Sequence, residues 1–306
     1  MQPKLDVIIV NWNSGTLLSE CIGSINNAVQ NSFYLNRVVV IDNASNDGSL
    51  DNLENINLPL TIIRNAQNLG FARACNQGAK ASEADYLLFL NPDTRLFSNS
   101  LSVPISFLNK KENDHFGIAG IQLRDDKNEI CRNCARFPSA YTMITISLGL
   151  DRLFPKLFSA HFLTEWDHKE SKEVDQVMGS FLMIRRKLFE QLNGYDESYF
   201  VYFEDMDLSF RARNAGKKSI YLADAYIYHK GGGTTEQIKA NRLFYYLRSK
   251  MNYSKKHFTI FEYYLIAAVI LFIEPLIRII DQLLKGSIKG VPEIASAYKM
   301  LFKSFR

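Results

Sequence analysis

The first ninety residues alternate between two patterns, and this alternation most narrows what the chain can fold into. Leu5–Val10 is a short apolar run suited to a buried parallel strand. A turn at Asn13-Ser14-Gly15 opens a helix near Thr16–Ala28. Arg37–Asp42 is β-branched and ends in an acid, and Asn43–Ser49 is polar turn chemistry. Leu60–Arg64 reads as a third strand, Phe71–Ser82 as a helix and Asp85–Leu90 as a fourth strand. Strands and helices in this order make right-handed βαβ units around a parallel sheet. Such sheets bind ligands beyond the carboxyl ends of their strands. Those ends carry Asn11 and Asn13, Asp42 and Asn43, Asn65 and Asn68, and Asn91 with Asp93. Asn and Asp also simply make turns, but a polar rim at all four ends favours a binding site.

Beyond this region, 98–173 is less regular and its order is not readable. Asp175–Arg185 reads as a buried strand interrupted by Gly179, and Gly194–Phe203 as an aromatic loop. Glu204–Ala215 reads as a helix ended by Gly216, with acids in its first turn and Arg211 and Arg213 near its end. Lys218–Leu222 and Ala225–His229 read as two short strands, and Gly231–Gly233 as a hinge or a loop that hugs a ligand.

Charge separates the last part of the chain. Residues 239–306 carry 12 Lys+Arg against 4 Asp+Glu, a net +8, while the other 238 residues carry 24 against 28, a net −4. Within the basic segment, Tyr263–Ile273 is an apolar run bounded by Glu262 and Glu274. A transmembrane helix needs about 20 apolar residues, and Pro275, Arg278 and Asp281 interrupt any extension. The expectation is an aromatic, base-flanked helix lying at a bilayer interface. The basic excess sits beside an apolar helix rather than a stacking platform, which argues against nucleic acid as partner. Lys4 and Asp6 interrupt the first apolar run and no small-residue cleavage site follows, so no signal peptide is read and the body is expected to face a cytoplasm. Cys131 and Cys134 form a lone CxxC, insufficient to close a zinc site, and all four cysteines are expected as reduced thiols.

Five stretches occur in a telling order: VIIVNWNSG, VVVIDNASNDGS, NLGFARACNQG, LLFLNPDT and FEDMDLSFRARNAG. Together they resemble the motifs of the inverting glycosyltransferase family 2, in particular its bacterial rhamnosyltransferase-type branch. The resemblance covers roughly residues 5–235. It implies a GT-A fold, a doubly wound, Rossmann-like mixed α/β sheet over 1–238. The nucleotide-sugar half would be 1–97 and the acceptor and catalytic half 98–238, with 239–306 a helical, membrane-associated extension.

Carried over residue by residue, the resemblance implies that Asn11 and Asn13 line the base and ribose pocket. Asp42 would accept from the pyrimidine ring, as an ionised carboxylate can. Asn68, Gly70, Arg73, Asn76 and Asn91 join the nucleotide-sugar site, with Arg73 facing the diphosphate. Asn91-Pro92-Asp93 occupies the DxD position with its first acid replaced by Asn, so Asp93 and His229 would hold Mg²⁺ or Mn²⁺. Asp205 would be the general base and Glu204 its neighbour, with Asp207 and Gly179 on the acceptor side. The implied donor is a nucleotide-sugar, dTDP-rhamnose in first place. The implied acceptor is a polyprenyl-diphosphate-linked sugar or a growing O-antigen chain at the inner face of a bacterial plasma membrane.

Rival classes leave different marks. A dinucleotide-dependent oxidoreductase would show GxGxxG after the first strand, where this chain has NWNSG. A processive polysaccharide synthase would carry QxxRW, and the two tryptophans, Trp12 and Trp166, do not follow an Arg. A non-catalytic sugar-binding homologue would have lost the base or the metal acid, and Asp205 and Asp93 are both present.

Overall fold

The computed structural model describes residues 2–28, 32–51, 53, 56–158, 160–231, 239–286 and 290–305. These divide into two compact units. The first holds Met1–Arg136, Phe162–Glu197 and Glu204–Thr234; the second holds Phe137–His161, Ser198–Phe203 and Thr235–Arg306. The helical unit thus draws on two stretches upstream of 239 as well as the basic tail. Gly232 and Gly233 of the expected hinge, and Lys289 in the basic segment 239–306, lie outside the described residues.

The first unit begins with β1 (Lys4–Asn11), α1 (Leu17–Ala28), β2 (Tyr34–Asp42), β3 (Leu60–Arg64), α2 (Phe71–Ala79) and β4 (Tyr86–Leu90). It continues with β5 (Thr94–Leu96), α3 (Ser102–Asn109), β6 (Phe116–Arg124), β7 (Ile130–Cys131) and β8 (Cys134–Ala135). The second unit contributes α4 (Ala140–Ser147) and α5 (Leu150–Leu153). The first unit resumes with β9 (Lys172–Val174), β10 (Gln176–Val177), β11 (Phe181–Arg185), α6 (Arg186–Gln191), α7 (Glu204–Asn214) and β12 (Lys218–His229). Its main sheet runs β3-β2-β1-β4-β11-β6-β12-β5, with β7 and β9 paired at the side, while β8 and β10 form a separate pair.

The four strands read from the sequence are parallel neighbours, with Asn11 opposite Asp42 and Asp42 opposite Arg64. Alternate residues of these strands feed two cores, because successive side chains leave a strand on opposite faces. Val7, Ile9, Val38 and Val40 pack under α1 and α3; Ile8, Val39, Ile41 and Phe89 pack under α2, α6 and α7. Helices thus cover both faces, as a doubly wound sheet requires.

Three sequence expectations change. The strand expected over Asp175–Arg185 is two strands in different sheets, β10 and β11, divided at Gly179. The two short strands at 218–229 are one strand, β12, with a register shift between Leu222 and Tyr226. The unread middle contains β6, a nine-residue strand at the heart of the sheet.

The second unit is helical: α4 and α5, then α8 (Lys239–His257), α9 (Ile260–Ala268), α10 (Glu274–Leu284) and α11 (Val291–Lys303). A π turn at Val269–Ile273 joins α9 to α10, so Ile260–Leu284 is one continuous 25-residue helix. Pro275, Arg278 and Asp281, expected to interrupt the apolar run, lie within this helix. Proline lacks the N–H for an i→i−4 bond and its ring crowds the preceding turn. A π turn directly before it widens that turn and shifts the hydrogen-bond ladder.

Candidate active site

The sheet brings the polar strand ends to one edge. β1, β2 and β4 end there; β11, antiparallel to β4, begins there with Phe181 opposite Leu90. β12 runs parallel to β6 and ends there, with His229 opposite Thr94 of β5. The backbone N–H of Lys230 donates to the carbonyl of Asp93 at 3.1 Å. Residues 136 positions apart, Asp93 and His229, therefore become neighbours: Asp93 Oδ1 lies 3.4 Å from His229 Nε2, and both side chains are largely covered. Among the described residues no group of three or more His, Cys, Asp and Glu side chains gathers around a common point. Asp93 and His229 thus place one carboxylate oxygen and one ring nitrogen side by side at this edge.

At the β1 and β2 ends the side chains hold one another. Asn11 is fully buried and its amide donates to Asp42 Oδ1 at 2.8 Å, Ser49 Oγ at 2.8 Å and Ser45 Oγ at 3.1 Å. Its Oδ1 accepts from the Ser14 hydroxyl. Asn11, expected to line the base pocket, is spent on internal bonds and fixes the carboxylate of Asp42 instead. Asp42 Oδ2 accepts the N–H of Ser45 at 3.2 Å. Each carboxylate oxygen of Asp42 keeps capacity for a second donor. Asn13 sits at φ 50° and accepts the N–H of Asn46 at 2.9 Å, tying the two loops together. Ser45 and Ser49 are the residues the sequence reading missed here; they lie inside the quoted VVVIDNASNDGS, and the polar turn was the signal.

Beyond β3, Asn68 accepts the N–H of Gly70 at 2.9 Å, and Gly70 takes φ 87° to start α2. That conformation is one only glycine adopts freely. Arg73, on the first turn of α2, is more than half exposed, 3.7 Å from Glu197. Asn76, expected at the nucleotide-sugar, is spent at both ends on the loop after α6. It donates to the Tyr195 carbonyl at 2.9 Å and Glu197 at 3.1 Å, and accepts the Tyr195 N–H at 2.9 Å. Asn91 caps the β4 end through its backbone, its N–H bonded to the Ser180 carbonyl at 3.1 Å.

The acids of α7 divide by role. Asp205 accepts the Gly179 N–H at Oδ2, 2.9 Å, and its own helix's Met206 N–H at Oδ1, 2.8 Å. A Cβ on Gly179 would stand 3.3 Å from Asp205 Oδ2, so glycine permits this close approach. Gly179, expected to touch the acceptor, thereby holds the base candidate. Burial pushes the Asp205 carboxyl up, and the bonds from Gly179, Met206 and Gln176 pull back against it. Glu204 is buried, its Oε2 without a hydrogen-bond partner, and burial followed by the charge of Asp205 pushes its carboxyl well above the usual range. Asp207 is corrected. It is 0% exposed and ion-paired to Arg211 at 2.7 Å, whose other nitrogens bond the carbonyls of Leu192 and Gly194. It ties α7 to the loop before it and offers nothing to an acceptor.

The four cysteines are free thiols, and burial raises those of Cys131 and Cys134.

The model of one protein family, described as glycosyl transferase family 2, matches residues 6–192, more than half of the chain. The chain belongs to glycosyl transferase family 2. It is therefore a glycosyltransferase. Over 260 residues it is 26% identical to an N-acetylglucosaminyl-diphospho-decaprenol L-rhamnosyltransferase of Mycobacterium tuberculosis, spanning 79% of this chain and 81% of that one. An O-antigen chain rhamnosyltransferase of Salmonella typhimurium is 25% identical over 239 residues, 76% of this chain and 68% of that one. The fold is shared with a mannosyltransferase of Pyrobaculum calidifontis solved with GDP-Man and Mn²⁺. The TM-score is 0.57 at 14% identity, over 97% of the glycosyltransferase and 74% of the solved chain. The helix-flanked mixed sheet is thus the GT-A fold that the motifs implied.

Proposed function

We propose that this glycosyltransferase moves L-rhamnose from dTDP-rhamnose, with inversion, onto a polyprenyl-diphosphate-linked or oligosaccharide acceptor in cell-wall or O-antigen synthesis. The observation that carries the reading is Asp205, a carboxylate oriented by two backbone N–H groups at the strand edge. The names of the mycobacterial and Salmonella relatives support the sugar, and the mycobacterial name supports a lipid diphosphate acceptor. Such an acceptor would put the enzyme at the inner face of a bacterial plasma membrane.

In this reading Asp42 receives the imide N–H of the pyrimidine, held in register by Asn11 and Ser45. Arg73 swings from Glu197 to the diphosphate. That exposed pair at 3.7 Å is worth little, and a guanidinium grips phosphate oxygens better. The mixed oxygen and nitrogen donors of Asp93 and His229 suit Mg²⁺ or Mn²⁺ and leave most of a coordination sphere for phosphate oxygens and water. When bound, such an ion would offset the charge on the departing nucleoside diphosphate. The acceptor oxygen attacks the anomeric carbon on the face opposite the nucleotide. Asp205 takes the hydroxyl proton, a positioned base contributing about 10²–10⁴-fold. A carboxyl raised by burial holds that proton more firmly than a solvated Asp would.

The test is a donor panel: dTDP-rhamnose, UDP-GlcNAc, UDP-glucose and GDP-mannose, offered with a short polyprenyl-diphosphate-GlcNAc acceptor. Nucleoside diphosphate release is read with Mg²⁺, Mn²⁺ or EDTA. The expected result is turnover of dTDP-rhamnose that EDTA suppresses. Preferred use of another donor would overturn the choice of sugar, and full activity in EDTA would remove the metal.

A further inference from the structure

The continuous helix Ile260–Leu284 is inside out. Its exposed stripe runs through Phe261, Leu265, Phe272, Leu276, Ile280 and Leu284, from 45% to 83% exposed and spaced as one helical face. The charge at its centre points the other way. Glu274 is 1% exposed, receives two bonds from Arg278 at 2.9 and 2.6 Å, and pairs with Lys250 of α8 at 3.3 Å. Lys250 also donates to Ser147 of α4. A water-facing helix carries its polar residues outward; here water would meet an unbroken apolar strip, which marks an interaction surface.

We infer that this stripe lies flat in an anionic lipid surface, the helix parallel to the membrane plane rather than across it. The placement deepens, and rests on, the reading of a lipid-linked acceptor. Two observations choose lipid over a second copy of the chain. The segment 239–306 carries +8, so two copies would repel where they met. Among its described residues the charged side chains in the exposed class are Lys and Arg, whereas Glu274 is buried and Glu262, Asp281 and Glu293 are partly covered. Bases around an apolar stripe complement anionic headgroups.

A third observation chooses the plane over a crossing. By length the helix spans about 37 Å, enough to cross. Yet the buried Lys250–Glu274 pair fastens it to α8, which exposes Arg248, Lys255 and Lys256. A crossing helix would carry those charges into hydrocarbon, where they are costly. Lying flat, it buries only its stripe.

The test uses the full chain and vesicles of phosphatidylethanolamine with phosphatidylglycerol. Wild type floats with the vesicles at low salt, and Phe272→Glu/Leu276→Glu stays at the bottom with at least ~10-fold weaker binding. Both changed side chains are exposed, so circular dichroism and the melting temperature stay the same. Nitroxides on cysteines placed one at a time at 261, 272 and 284, in a Cys131→Ser chain, report one common shallow depth. A wild type that stays at the bottom overturns the inference. So does a dimer that the double substitution splits, or a depth profile deepest at 272 and shallow at both ends. The double variant keeps its transfer to a water-soluble acceptor, which separates the two readings. A chain that floats but transfers no sugar sinks the acceptor reading and leaves the surface standing.

Discussion

At the scale of single residues, the account turns on two adjacent carboxyls. Glu204 faces Asp205 on its own helix, and Cys75 of α2 and Tyr195 of the loop after α6 across it. No cation among the described residues pairs with it, so of the two acids Glu204 is the one that keeps its proton. Its folded carboxyl lies above the unfolded one, so folding takes up a proton between those two values. Wild-type stability is therefore fullest below the unfolded carboxyl range and falls as pH rises through the raised folded value. Glu204→Gln should remove that loss: its melting temperature exceeds wild type by a margin that widens from pH 5 to pH 8. The acid limb of its kcat/KM profile should stay in place, since no charge has been removed next to the base. A limb displaced downward by a unit or more would mean that Glu204 is ionised in the working enzyme. The sequence disclosed that acids stand here but not which does what. Glu204, Asp205 and Asp207 look alike in EDMD; only packing buries Asp207 against Arg211 and turns Asp205 toward Gly179. Nor does any local pattern join Asp93 to His229, which meet through the pairing of β5 with β12.

Elements were legible where one face or one period dominates. The β1–β4 strands are short apolar runs with polar ends, and the structure pairs them in parallel as expected. β6 was unreadable because Gly117 and Gly120 interrupt it, and glycine argues against a strand interior. Its reason lies elsewhere in the chain: a Cβ at 117 would stand 2.3 Å from Leu188, and one at 120 would stand 2.6 Å from Val177. The 260–284 helix was cut short at Pro275 for a similar reason, since the π turn that accommodates it has no signature in the sequence. The buried Lys250–Glu274 pair of the helical unit makes a prediction at this scale. Lys250→Met should destabilise that unit by about 2 kcal/mol, because Glu274 loses one charged partner in the interior and keeps only Arg278. Adding Glu274→Met should recover most of the loss, read as the shift in urea midpoint. Equal and additive losses would show that the two residues do not act as a pair.

For the whole molecule, the order of strands brings residues scattered from Asn11 to His229 to one edge of the sheet. Parallel strands point their ends one way, and the antiparallel β11 and β5 begin or turn at the same edge. Binding can then be separated from chemistry by changing the proposed base alone. Asp205→Asn keeps the shape and can keep one of the two backbone bonds while losing the basicity, since its amide nitrogen cannot accept the second N–H. The decisive measurement is its single-turnover rate of sugar transfer beside its donor dissociation constant. The account predicts a loss of at least about 100-fold in rate with donor affinity nearly unchanged. A variant that retains more than half of the wild-type rate would contradict it.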